Sequence, residues 1–502
     1  MSRSIERVST GIEGLDTVLH GGLVAGRSYM LNGPPGAGKT ALAMAFLDAA
    51  GPAESALFVN LEEDIDDLRT NAEVLGVDVD AMAFLDLSPG PETFAEERAY
   101  DVFPASDVEQ EPVVEAIVDR VEEVDPDRVV VDPITQLHYL TSGEYQFRKQ
   151  AVGLMRFLTG GGATVLYTAQ DTDRLPTEDL EYIGDGTVLL DASPHGRGLR
   201  VPKFRGSASM SGEHAFRIDG DGIAVFPELD PGAHDRSFEP EPVPSGIPEV
   251  DELLHGGLER GTVSILSGPT GVGKTTLGTQ FMKEAAGRGE RSVIYLFEET
   301  RGTFMTRSEA LGIPVDRMIE RETLRVEEVD ALDRSPQEFA DAVRREVEGN
   351  DTSIVMVDGI AGYGITLRGD EREAVRRLHR LGRYLKNVGV TSVFIDETSN
   401  ITGEFRATDR NLSYLADNIV FLRHLELKGE LRKAIGVLKK RTSDFERTLR
   451  EFEMTEHGLK VGEPLRDLQG VLTGMPTVVE DTSRTPGGPR GPDEGRPDDT
   501  VE

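Results

Sequence analysis

Cysteine is absent from this 502-residue chain, so no disulfide framework and no thiol chemistry is available to it. Lysine is scarce: 11 of the 54 basic residues are Lys and 43 are Arg. Against them stand 90 acidic residues, and the formal net charge is −36. Tight non-specific nucleic-acid binding draws on Lys and Arg to neutralise phosphates, so this balance argues against it. The acid is spread along the whole chain rather than gathered in one block. That pattern suits a salt-rich cytoplasm, where carboxylates keep a surface hydrated and salt screens their repulsion. A basic partner is the alternative. No apolar run approaches the ~18 residues of a membrane span, and the start MSRSIERVSTGIEGLD has no apolar core of a secretory signal. The expectation is a soluble cytoplasmic protein.

What is present occurs twice. STGIEGLDTVLHGGLVAGRSYMLNGPPGAGKT (9–40) aligns without a gap on PSGIPEVDELLHGGLERGTVSILSGPTGVGKT (244–275), an offset of 235. LFVNLEED (57–64) matches IYLFEET (294–300) at an offset of 236. VVVDPIT (129–135) answers VMVDGIA (355–361), YIGDGTVLLD (182–191) answers YLADNIVFLR (414–423), and KFRGS (203–207) answers KKRTS (439–443). Motifs that hold register this long indicate a duplicated domain. The first copy runs to about residue 226. PELDPGAHDRSFEPEPVP (227–244) reads as a linker, rich in Pro and charge. The second copy covers 245–475, and the Pro-, Gly- and acid-rich segment 476–502 reads as a disordered tail.

Within each copy, buried β-branched runs alternate with helical patterns. SYMLN (28–32), ALFVN (56–60), VVVD (129–132), TVLYT (164–168) and TVLLD (187–191) read as strands. AVGLMRFL (151–158) and the stretch after Lys39 read as helices. The expected fold class is α/β: two tandem P-loop domains, each a doubly wound, mostly parallel sheet.

Each copy carries GxxxxGK[ST] between a strand and a helix. Glycines let the chain curl so that backbone N–H groups face phosphate oxygens, and the helix N-terminus adds its positive end. The nucleotide-binding candidates are Gly33, Pro34, Pro35, Gly36, Ala37, Gly38, Lys39 and Thr40, then Gly268, Pro269, Thr270, Gly271, Val272, Gly273, Lys274, Thr275 and Thr276. Lys39 and Lys274 can reach β- and γ-phosphates, and Thr40 and Thr275 can ligate Mg²⁺. Asp132 and Asp358 end buried strands beside the loops, where metal-bound water needs an acceptor. The plainer alternative is a strand-ending turn residue. The adjacent pairs Glu62-Glu63 and Glu298-Glu299 also follow strands and could orient or deprotonate a nucleophile; a solvated acidic patch is the alternative. Lys203 with Arg205, and Lys439 with Arg441, form a repeated Lys-x-Arg that could lend charge to a γ-phosphate. An intrachain ion pair is its alternative.

With these residues in hand the chain resembles the KaiC family of two-domain RecA-like ATPases. The resemblance covers residues 1 to about 475. It rests on the doubled HGGL…GPxGxGKT opening, the glutamate pairs, the strand-end aspartates and YLADNIVFLRHLELKGELRKAIGVLKKR in the second copy. It implies a homo-hexameric ring with ATP and Mg²⁺ at subunit boundaries. Lys203, Arg205, Lys439 and Arg441 would then reach a neighbour's nucleotide, and the four glutamates would be the catalytic carboxylates. It also implies Ser/Thr autophosphorylation in the second domain, at the positions of Ser413 and Tyr414. Here the chain departs from the pattern, because tyrosine stands where threonine is expected. Single-site phosphorylation at Ser413 is left, with a helix or turn cap as the structural alternative. The first copy has Glu181 at that position and no hydroxyl. A second departure is 89–112, a net ten-residue insertion read as an exposed acidic loop. Two other readings stand beside the enzyme: an ATP-dependent regulatory switch that recruits an unidentified signalling partner without kinase activity, and a RecA-like DNA-linked ATPase.

Overall fold

The computed structural model describes residues 5–89, 110–138, 141, 143–170, 178–193, 196–220, 222–365, 371–398, 412–427, 429–456, 458–466, 468–469 and 477–478. Most of the 89–112 insertion and of the 476–502 tail lies outside the described residues. The chain forms two compact units. One takes residues 1–234, 330–350 and 363–384; the other takes 235–329, 351–362 and 385–502.

The sheet of the first copy has nine strands: β1 (Ser28–Asn32), β2 (Ala56–Asn60), β3 (Ala83–Asp86), β4 (Arg128–Asp132), β5 (Thr164–Ala169), β6 (Gly186–Ser193), β7 (Gly196–Phe204), β8 (His214–Asp219) and β9 (Gly222–Phe226). Their spatial order is β3-β2-β4-β5-β1-β6-β7-β8-β9. The six strands from β3 to β6 are parallel, and β7, β8 and β9 extend the sheet antiparallel. Every residue of β1, β2, β4 and β5 is buried. Strands covered on both faces cannot alternate polar and apolar, which is why SYMLN and ALFVN read as continuous runs.

The second copy repeats this plan in β10 (Val263–Gly268), β11 (Arg291–Leu296), β12 (Leu324–Glu328), β13 (Thr352–Asp358), β14 (Thr391–Glu397), β15 (Asn418–Leu427), β16 (Glu430–Lys440), β17 (Arg450–Thr455) and β18 (Gly458–Pro464). The order β12-β11-β13-β14-β10-β15-β16-β17-β18 is the first sheet's order strand for strand. Both domains are therefore doubly wound, mostly parallel RecA-like α/β folds, as the alternation of strand and helix patterns requires.

Helices beside the sites or packed on their strands are α1 (Lys39–Asp48), α2 (Ile65–Val74), α3 (Glu144–Gly160), α4 (Lys274–Gly287) and α5 (Arg301–Ala310). On α3 the residues Phe147, Ala151, Met155 and Leu158 are buried, the spacing of one helical face. They join Val129, Val131, Val165 and Tyr167 in one apolar cluster that pins the helix to β4 and β5. Truncating such a residue as Phe147 to Ala costs about 3–5 kcal/mol. Two further helices, α6 (Pro336–Asn350) and α7 (Glu371–Asn387), come from the second copy, yet residues 336–350 and 371–384 belong to the first compact unit.

Candidate functional sites at the carboxyl edges of two sheets

In a parallel sheet every strand presents its carboxyl end to one edge, and ligands bind there. The edge of the first sheet gathers the ends of β1, β2, β4 and β5. The chain leaves β1 into the phosphate loop and re-enters order at α1. Gly38 caps α1 at φ 100°, and Gly273 caps α4 at φ 112°. A Cβ on Gly38 would lie 2.4 Å from Ile218 Cδ1, and one on Gly273 would lie 2.9 Å from both Met454 Sδ and Phe452 Cε1. Only glycine satisfies both the left-handed turn and the packing against β8 or β17.

A cavity of about 410 Å³ opens at this edge, lined among others by Pro35, Gly36, Gly38, Lys39, Thr40, Glu62, Glu63, Asn71, Asp132 and Gln170. Lysine, threonine, both glutamates and the strand-end aspartate thus meet in one space, from three separate stretches of sequence. Lys39 Nζ donates to the carbonyls of Gly33 (2.8 Å) and Pro34 (3.0 Å). Burial pulls its pKa down, opposed by the charges of Asp132 and Glu62. Asp132 is buried at the end of β4, and burial pushes its carboxyl up. The hydroxyls of Thr168 and Thr40 donate to it and favour the ionised form. Glu63 is raised by burial first and then by Asp132, Glu62 and Asp67. Three carboxylates crowded at one edge are what a bound cation relieves.

The second edge has the same parts. Lys274 Nζ donates to Pro269 O at 2.9 Å, and burial lowers its pKa against the charges of Glu397, Asp358, Glu298 and Asp396. Burial pushes Asp358 up to about 7, while the Thr275 hydroxyl donates to it. Glu299 differs from its counterpart: Arg307 donates to both its oxygens, at 2.7 and 2.9 Å.

The donor set fits a magnesium ion. Thr40 with Asp132, and Thr275 with Asp358, each offer one hydroxyl and one carboxylate oxygen. Mg²⁺ is ordinarily held by one or two carboxylates and substrate phosphates rather than by an all-protein cage. Among the described residues no group of three or more His, Cys, Asp or Glu is placed to hold a metal by itself.

Lys203 and Arg205 do not line the first cavity. Lys203 is the penultimate residue of β7, and its Nζ donates to the carbonyls of Glu181 (2.5 Å) and Gly184 (2.6 Å). Lys439 Nζ donates to Ser413 O at 2.6 Å, and Arg441 to Tyr414 O at 3.3 Å. Ser413 and Tyr414 are exposed on a single short turn, Leu412–Tyr414. The lysine contact is thus the same in both copies, which supports matching Glu181 with Ser413. Three participants escaped the sequence reading: Thr168, Gln170 and Arg307. The first two stand at or just past the end of β5, and parallel pairing with β1 was the signal that could have found them.

A model of the KaiC ATPase family matches residues 8–230 and again 243–466. The chain belongs to the KaiC family. It is a KaiC-family ATPase with two tandem domains, and the two phosphate loops are one in each match. Among its relatives are the circadian clock oscillator proteins KaiC of Acaryochloris marina, 27% identical over 95% of this chain and 92% of that protein, and of Thermostichus vulcanus, 27% identical over 96% and 94%. That of Synechococcus elongatus is 26% identical over 95% and 93%. Among the described residues no helix is long and apolar enough to cross a membrane.

Proposed function

We propose that the chain binds ATP with Mg²⁺ at both carboxyl edges and hydrolyses it, and that it works as a homo-hexameric ring with each nucleotide at a subunit boundary. The observation that carries the reading is the cavity that unites Lys39, Thr40, Glu62, Glu63 and Asp132. The backbone N–H groups of residues 33–40 and the start of α1 hold the phosphates. Lys39 swings from its loop carbonyls to the γ-phosphate. Glu62 and Glu63 orient a water molecule in line and accept its proton as its oxygen bonds to the γ-phosphorus and the bridging P–O bond breaks. Thr40 and Asp132 would hold Mg²⁺, which would supply positive charge against the charge developing on the phosphates. Lys203, Arg205, Lys439 and Arg441 extend to the neighbouring subunit's γ-phosphate. The second domain carries the matching residues Lys274, Thr275, Asp358, Glu298 and Glu299.

In the second domain the Ser413 hydroxyl, in place of water, attacks a neighbour's γ-phosphorus, and ADP leaves. The exposure of Ser413 and its Lys439-gripped turn support this autophosphorylation. A second reading keeps ATP turnover and drops the kinase: the chain is a nucleotide-dependent switch for a signalling partner. Tyr414, 51% exposed at the second acceptor position, favours it. The relatives' name, circadian clock oscillator protein, points to a regulatory output in either case. The charge of −36 speaks for a salt-rich cytoplasm and against a DNA-linked role.

The test is ATP turnover by the full chain in Mg²⁺. Glu62→Gln combined with Glu63→Gln abolishes hydrolysis in the first domain and leaves its ATP bound. Unchanged turnover would return the glutamates to a solvated acidic patch.

A further inference from the structure

The helices α2 and α5 occupy equivalent places, 65–74 and 301–310, an offset of 236 that also carries Glu62 to Glu298 and Glu63 to Glu299. At that offset Asn71 answers Arg307. The exchange of a neutral amide for a cation changes what one glutamate can do.

Side chains on a helix lean toward its N-terminus. Arg307 lies two turns into α5, and its guanidinium returns past the cap Thr300 to Glu299. Nη1 meets Oε2 at 2.9 Å and Nη2 meets Oε1 at 2.7 Å, a two-pronged pair in which both carboxylate oxygens already accept from a cation. The Glu299 side chain is only 17% exposed, so water competes poorly for those oxygens. Glu298 looks elsewhere. A Cβ on Gly359, next to Asp358, would stand 2.6 Å from Glu298 Cγ and 2.8 Å from its Oε1. Its charge also acts on Lys274, as that of Glu62 acts on Lys39. In the first site both Glu62 and Glu63 line the open cavity, with Asn71 beside them.

We infer that Arg307 is a positioning residue that withholds Glu299 from proton transfer, so that Glu298 alone serves the second site while two glutamates serve the first. The inference rests on the ATP hydrolysis proposed above. The step concerned is the same: water oxygen bonds to the γ-phosphorus, ADP departs, and the proton of water passes to a carboxylate. With Arg307 in place that proton goes to Glu298. The two tandem sites then turn over ATP at different rates from nearly identical parts.

The experiment uses the full chain carrying Lys39→Ala, so that only the second site turns over, and measures bound ATP, kcat and KM. Arg307→Asn raises kcat about threefold or more, at a KM changed less than about twofold, a small part of the ~10²–10⁴ that a placed base can supply. Arg307→Lys keeps the charge but not the two-pronged grip, and gives less than half that gain. Adding Glu299→Gln to Arg307→Asn cancels it. The reciprocal swap, Asn71→Arg in a Lys274→Ala chain, lowers first-site kcat about threefold and guards against misfolding of the first variant. A kcat that is unchanged or lower in Arg307→Asn with ATP still bound overturns the inference, as does a gain that survives Glu299→Gln. If the Lys39→Ala parent holds ATP and shows no turnover at all, hydrolysis at the second site is itself refuted, a result distinct from equal rates.

Discussion

Lys439 Nζ donates to the carbonyl oxygen of Ser413 at 2.6 Å, and Lys203 Nζ makes the matching bond to Glu181 at 2.5 Å. The matching lysine therefore holds a matching carbonyl in both domains, on the helix Glu178–Ile183 in the first and on the short turn Leu412–Tyr414 in the second, and only the second position carries a hydroxyl. Incubation with γ-³²P-ATP is expected to label the wild type and not Ser413→Ala. Label that persists in Ser413→Ala and disappears in Tyr414→Phe would transfer the acceptor role to the phenol. No label in any form leaves the switch reading.

Gly273 sits at φ 112° with Phe452 and Met454 against the place a side chain would fill. Gly273→Val forces an L residue into that turn at a cost of order 1–2 kcal/mol, equivalent to about five- to thirtyfold weaker binding. Equilibrium binding of a fluorescent ATP analogue to a Lys39→Ala chain reads the second site alone. Affinity equal to that of the Lys39→Ala parent would show that the loop's left-handed cap is dispensable.

His214 supplies a pH dependence. The residue is fully buried; Nδ1 accepts from the Glu228 N–H at 2.9 Å, and Nε2 faces Met210 O at 3.3 Å. Burial lowers its pKa, with Met210 and Glu228 opposing. A folded-state pKa below the unfolded value of about 6.5 means that the unfolded chain takes up the proton first as pH falls. The contribution is complete above that value and is lost progressively below it. The wild type should lose more Tm between pH 7.5 and 5.5 than His214→Gln; parallel curves would remove His214 as the cause.

A chain with 90 acidic and 54 basic residues repels itself at low ionic strength. At 1 M salt the screening length falls to about 3 Å. Thermal unfolding in rising KCl should therefore give a rising Tm, and a flat or falling curve would contradict the salt-adapted reading.

The duplication was legible because strands buried on both faces must be apolar throughout, and because GxxxxGK[ST] tolerates few substitutions at the strand-to-helix turn. The edge where Lys39, Glu63 and Asp132 meet followed from parallel strands sharing one carboxyl side. Arg307 was not legible. Its effect depends on a side chain reaching two helical turns back to Glu299, and its counterpart Asn71 looks like any exposed helix residue. Thr168 was hidden for a related reason: its bond to Asp132 joins strands 36 residues apart, and nothing local marks it. The place of α6 and α7 in the first compact unit likewise rests on long-range packing rather than on any pattern within the helices.

The most direct measurement is native mass spectrometry of the full chain with ATP and Mg²⁺, beside Lys39→Ala, Lys274→Ala and the double variant. The proposed hexamer with two sites per chain predicts six subunits carrying twelve nucleotides for the wild type, half that load in each single variant and none in the double. A wild type that stays a single subunit without nucleotide, or a double variant that keeps its full load, would contradict it.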